Sequence, residues 1–422
     1  MSIEQNTPST ENQASLAASV EIPSYTQKQT VGQLLRGDLG SIPVLLTLIV
    51  IALYFTITTG GLFLSPTNLS NLLQQIITTG VDALGVTLVL LLGEIDLSIA
   101  AVGTYAAVVM GVLMNYHGVP AWEAILLGIL AGALAGAING FFIAVLRIPS
   151  FIVTLAASIF YAGLLLNLLN GQATLIIQNQ FVLSIAGSST SFLPDYLGVG
   201  LPTLILVLYA GGLILDHIAR KRAGLRARPL LQLILQIGLA VVIVEGTVAV
   251  LENTPSATPG IFLGVPNSAA ILFALILILW LVLTKTTFGR HLYAVGGNME
   301  AARRAGINVV FIRIVAFTLC STLASVGGIL AASYANSVAT QINPSLLLDA
   351  IAAAVIGGTS LFGGTGSVWN IVLGALIIGS LENGLDLKSQ GSDVKQMVEG
   401  VVLLFAVTVD AVVRRAQRRS GR

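Results

Sequence analysis

The chain predicts an all-α polytopic membrane bundle of about ten to twelve transmembrane helices, some of them short or broken. Three observations predict it. The 422 residues are 55% hydrophobic and only 9% charged, against about 25% charged in an ordinary soluble domain. Mean hydropathy is +0.92. Apolar windows close to the bilayer-crossing length, about 20 residues with about 17 to 25 tolerated, recur along nearly the whole chain.

In order, the windows fall at 42–64, 72–93, 97–115, 122–146, 151–170, 200–216, 229–251, 268–286, 309–334, 347–358, 367–385 and 396–413. The first follows a polar stretch without an apolar core, so it reads as an uncleaved signal-anchor behind a disordered cytoplasmic tail, residues 1–41. Window 122–146 carries Gly128, Gly132, Gly136 and Gly140. At 3.6 residues per turn these glycines form one stripe where a neighbouring helix backbone can approach closely. Ala324, Gly328 and Ala332 form a weaker stripe. Windows 200–216 and 229–251 make a hairpin around the basic turn 217–228. The longest outside loop is 171–199, and no extramembrane stretch is long enough to fold as a domain. Residues 42–413 are therefore one membrane domain, followed by a basic cytoplasmic tail at 414–422.

Orientation follows from charge. With residues 1–41 inside, all of the 20 Lys and Arg residues except Lys388 and Lys395 fall on the cytoplasmic side, as the positive-inside rule requires. Both termini are thus expected in the cytoplasm of a multi-pass protein of the cytoplasmic (inner) membrane. The basic runs, including Arg220, Lys221, Arg222, Arg226 and Arg228, read as stop-transfer anchors and not as a lipid-headgroup or nucleic-acid surface.

Several chemistries are excluded. No lysine follows a glycine, so there is no phosphate-binding G-x-x-x-x-G-K-[ST] loop and no nucleotide hydrolysis of that type. His117, His217 and His291 lie apart without Cys or carboxylate partners at ligand spacing, so no metal or cofactor site is expected. The single Cys320 sits in an apolar segment and forms no disulfide framework. The chain is not expected to be an enzyme.

The most specific feature is the inside loop 284–308. After Gly296 and Gly297, Asn298 suits a helix N-cap and Glu300 complements the dipole in the first turn. Arg303 and Arg304 follow in the last turn, and Gly306 can close the helix in a left-handed conformation. A helix this short is marginal alone, so it reads as a peg held in a partner's groove. Buried carboxylates in a membrane are functional candidates by default. Asp82 and Glu245 lie deepest, and for Asp82 structural and pathway roles stay open. Glu245, in the hairpin, is expected to pair with a neighbour. Glu94 and Asp96 sit at a helix break, where Asp96 is expected to cap the helix at 97–115. Gln74, Gln75, Thr78, Asn139, Asn167 and Asn370 could line a path or be buried between helices. The strings at 90–98 and 354–362 echo each other weakly, consistent with a parallel repeat or with chance.

Glu300-Ala301-Ala302 followed by Gly306 resembles the E-A-A-x-x-x-G coupling loop of ABC-importer permeases, which docks on the ATPase subunit. The wider context resembles their ribose/xylose/galactose family. The matching stretches are Glu94 to Ser98, Pro149 to Leu155, Gly289 to Asn308, and Leu348 to Ala353 with Gly357 to Leu361, with Thr58 to Gly60 and Leu69 to Leu73 adding to them. The extra hairpin 200–251 and Glu94 resemble the xylose-type branch. The resemblance implies import of a monosaccharide, xylose or a related pentose. It also implies a permease homodimer, separate ABC ATPase subunits inside and a sugar-binding protein outside. By that resemblance Gly296, Gly297, Asn298, Glu300, Ala301, Ala302 and Gly306 form the coupling loop. Asp82, Glu94, Asp96, Asn139 and Asp349 remain pathway or structural polar residues. The alternative is an ion-coupled secondary sugar carrier, which would need a buried ionisable relay and no capped inside helix.

Overall fold

The first helix, α1 (Ile42–Thr58), ends at two glycines and a 3-10 turn, Leu62–Leu64, before Ser65 and Pro66 restart the chain. The structure is a computed structural model that describes residues 42–187, 191–225, 229–255 and 263–419. The tail 1–41, the chain end 420–422 and Arg226 and Arg228 lie outside the described residues. Helix α2 (Pro66–Leu91) begins several residues before the hydropathy window because Ser65 Oγ accepts from the Asn68 amide and proline fits the first turn. Its polar start is satisfied internally: Asn68 Nδ2 donates to Asn383 Oδ1 at 2.8 Å and Asn383 Nδ2 to Gln75 Oε1 at 3.1 Å.

Then follow α3 (Ile99–His117), α4 (Ala121–Ala144) and α5 (Ser150–Leu168). The loop expected at 171–199 is more ordered than its composition suggests. It contains β1 (Thr174–Ile176) and α6 (Gln180–Ala186). Strand β1 pairs antiparallel with β2 (Ser337–Ala339), Leu175 opposite Val338. The pairing joins segments far apart in sequence, which local pattern cannot reveal. The hairpin follows as α7 (Asp195–Arg222), longer than its apolar window, and α8 (Leu230–Glu252), shifted by one residue from its own. Next come α9 (Asn267–Lys285), α10 (Thr287–Gly297), α11 (Met299–Arg304) and α12 (Val309–Ala335). The chain finishes with α13 (Pro344–Ile356), α14 (Ile371–Leu387) and α15 (Ser392–Arg419).

Among the described residues, 8 helices are long and apolar enough to cross a membrane, and Val44–Thr58 and Ser345–Ile356 are shorter apolar helices. Helices α2 and α12 form the centre. Helix α12 packs on α2, α3 and α4, while α13 and α14 cover the other side of α2. The most apolar window of α2 is 83% buried and those of α7 and α8 only 11%, so the hairpin is peripheral. It is fastened by polar contacts as well as apolar ones: Thr203 donates to Glu245 at 2.9 Å and Gln236 to the Tyr209 hydroxyl at 2.8 Å. Glu245 thus pairs across its own hairpin.

The glycine stripe of α4 is a packing surface. A Cβ at Gly128 would lie 2.6 Å from the Ala106 carbonyl of α3, and one at Gly136 would lie 2.5 Å from the Phe317 carbonyl of α12. Close backbone approach of this kind is how membrane helices associate without a hydrophobic drive. Gly328 of the weaker stripe meets α3 at Gly103 in the same way.

Candidate functional site

Two sites lie at opposite ends of α12, whose 27 residues span about 40 Å at 1.5 Å per residue. At the end where α12 begins, Asn298 Oδ1 accepts the Ala301 amide at 2.9 Å and starts α11. Arg304 Nε donates to Glu300 at 3.2 Å, an exposed i,i+4 pair. Gly306, at φ +83°, turns the chain in the left-handed region. Ala302 is buried while Glu300 and Ala301 face out. Helix α10 was not anticipated in the loop. Gly296 and Gly297 belong to its last turn, where sequence reading expects a break. Thr286 Oγ1 accepts the Gly289 amide and starts it directly after α9.

Helix α10 is keyed into the bundle by backbone contact. A methyl group at Gly296 would sit 1.7 Å from the Leu91 carbonyl oxygen and 2.9 Å from the Gly364 nitrogen. Gly364 N–H in turn donates to Leu91 O at 2.9 Å. The start of the first of the two weakly similar strings thus meets the loop just after the second, with Thr87 and Thr359 hydroxyls 3.4 Å apart beside it. Tyr293 of α10 donates to the Gly366 carbonyl at 3.1 Å, and burial pushes its phenol above the ordinary value, keeping it a neutral donor.

The break between α2 and α3 is held from three helices. Glu94 pairs with Arg313 of α12, with side chains only 9% and 14% exposed. Ser150 and Thr154 of α5 accept the Ile95 and Leu97 amides at 3.4 and 3.0 Å. Asn139 of α4 donates to Ser98 Oγ at 3.1 Å. Asp96 does not cap at 97. The helix starts at Ile99, and Asp96 Oδ1 instead takes the Ser98 amide at 2.9 Å and hydroxyl at 2.6 Å. Ser98 stands at the cap position, so the helix begins two residues later than expected and the carboxylate rigidifies the turn before it. Arg313 was the missed partner; its signal is a lone arginine inside an otherwise apolar run, Val309 to Val315.

Towards the β1–β2 end, a cavity of about 270 Å³ opens between α2, α3, α12 and α13. Thr78, Asp82, Thr104, Gln341 and Asn343 line it together with small apolar residues. Asp82 is 4% exposed, and its Oδ1 has no hydrogen-bond partner among the described residues. A carboxylate and several neutral polar groups around a cleft of this size suit a small polyhydroxylated ligand. Of the other polar residues, Asn139 and Gln75 are spent on helix contacts, Asn370 stands at the start of α14, and Asn167 is exposed away from the cavity. Asp349 is buried near Glu382 and Glu399, also away from it.

Residues 68–407 match the family described as branched-chain amino acid transport system / permease component. The xylose transport system permease protein of Escherichia coli strain K12 is 34% identical over 368 residues, 87% of this chain and 91% of that protein. The xylose transport system permease protein of Haemophilus influenzae is 33% identical over 369 residues, 87% of this chain and 94% of its own. The ribose import permease protein of Bacillus subtilis strain 168 is 33% identical over 349 residues, covering 82% and 86% of the two chains. No solved structure matches. With 8 candidate spans among the described residues, a glycine-keyed helix pair at one end and a polar cavity towards the other, the chain belongs to this family of membrane transport permease components.

Proposed function

We propose that this chain is the membrane-spanning permease subunit of an ABC importer that carries a monosaccharide, xylose or a related pentose, across the cytoplasmic membrane. The observation that carries this reading is α11. It is six residues long, capped at its start by Asn298, presents Glu300 outward and is rooted through α10 at Gly296. So small a helix is stable only when held, which suits docking on a separate ATPase that supplies the energy this chain lacks. Likeness to xylose and ribose permeases supports the sugar class. In this reading Asp82 and Thr78 line the sugar path. Two copies form the pathway, and a soluble binding protein delivers sugar at the cavity side. Residues 42–413 act as the permease domain in contact with lipid. An ion-coupled carrier would leave α11 with nothing to hold.

The test is purification of the chain with its ATPase, together with sugar uptake. Two copies of the permease per particle are expected. Gly306→Val puts a β-branched residue at the left-handed backbone just past the end of α11, costing on the order of 1–2 kcal/mol. With Glu300→Lys, it is expected to lose ATPase co-purification and uptake while membrane insertion survives. Normal assembly and uptake in both variants would remove the coupling role of α11.

Orientation follows the same reading, with both termini and the 217–228 turn cytoplasmic. Because native Cys320 is fully buried, a cysteine introduced at Gly224 gives a clean signal. It should label in intact cells only with membrane-permeant thiol reagents; labelling by an impermeant reagent would reverse the topology. The control is a cysteine at Thr258, expected outside and labelled by impermeant reagents, a position that lies outside the described residues.

A further inference from the structure

Three carboxylates from three helices converge at a place that neither the cavity nor the α10–α11 end uses. Asp349 of α13, Glu382 of α14 and Glu399 of α15 each present an oxygen, and these oxygens all lie within 4.8 Å of one another. Asp349 is 2% exposed and Glu399 6%. Independently of that convergence, Asp349 Oδ1 and Glu399 Oε2 are buried without a hydrogen-bond donor among the described residues. The neighbouring cation, Lys395, is paired with Asp386 and bonds to neither of them, although its charge acts on Glu382. Buried carboxylates without donors are costly unless a cation or protons neutralise them.

We propose that Asp349, Glu382 and Glu399 bind a hard divalent cation of the Ca²⁺ type. All three ligands are hard oxygens, which favours such an ion over Zn²⁺ or Cu²⁺. Ca²⁺ holds oxygens at about 2.3–2.6 Å, so ligands on opposite sides of it stand roughly 5 Å apart, a span the converging carboxylates meet. The ion ties together α13, α14 and α15. Helix α13 is the element that joins the two sites: Asn343 and Leu346 at its start line the cavity, and the loop after it touches Gly296. The ion therefore stiffens the link between the two ends. The cluster is not legible locally because its three carboxylates sit on three separate helices.

The test is Ca²⁺ binding to the detergent-purified full-length permease after chelator treatment, followed by titration calorimetry and thermal unfolding. One ion per chain and an upward shift of Tm are expected for the unaltered protein. Asp349→Asn and Glu382→Gln should each weaken binding at least tenfold, while Asp386→Asn, outside the triad, should keep it. If Asp349→Asn is not recovered from the membrane, the less buried Glu382→Gln carries the comparison. No Ca²⁺ binding by the unaltered protein overturns the proposal, as does unchanged affinity in the recovered triad variants. A triad that instead shares protons would bind no ion and gain stability as pH falls, which also counts against it.

Discussion

Gly296→Val is expected to abolish uptake while Gly297→Val leaves it near the unaltered level. The two glycines are adjacent, yet a Cβ at 296 would meet the Leu91 carbonyl at 1.7 Å and one at 297 would meet nothing within 4 Å. The obstacle at 296 is backbone from the end of α2 and from the loop after α13, so no side-chain rotation can relieve it. Overpacking a tight site costs about 1–3 kcal/mol or more, and here the strain falls on the joint between α10 and the bundle. The chain should still insert, because insertion depends on the apolar spans. Uptake per inserted molecule is the measurement, with ATPase co-purification alongside. Equal uptake in the two variants would mean that the Gly296 contact does not transmit motion.

The second large effect is at Glu94 and Arg313. Arg313→Met leaves a carboxylate 9% exposed without its partner, and breaking a buried pair this way costs about 3–5 kcal/mol. Glu94→Gln should do comparable harm from the other side. The double variant Glu94→Gln/Arg313→Met removes both charges and should recover most of the folded protein, since replacing a buried pair outright is often close to neutral. Thermal unfolding of the three purified variants reads this directly. A double variant as unstable as the sum of the singles would show that the two side chains act independently, against the pairing that holds the α2–α3 break.

What was legible in the sequence follows from short-range physics. The bilayer demands long apolar helices, so composition and window length determined the all-α class and the approximate place of most spans. Capping chemistry is also local, which is why Asn298, the turn at Gly306 and the packing use of the α4 glycines could be read directly. Where the signals are local but crowded, reading slipped by a few residues. Asp96 serves the turn before the helix and not its cap, and α10 hid inside a loop of mixed polarity.

Tertiary structure alone decided the rest, because each remaining feature joins residues distant along the chain. Glu94 meets Arg313 and β1 meets β2. Asp349 meets Glu382 and Glu399, and Gly296 wedges between Leu91 and Gly364. The sequence by itself determined that this chain crosses a membrane repeatedly and carries a capped helix between two spans. Which of its polar residues face the cavity, which are spent on packing and which converge on one another is set by helix rotation and crossing. Those depend on side-chain fit between helices that no local pattern encodes.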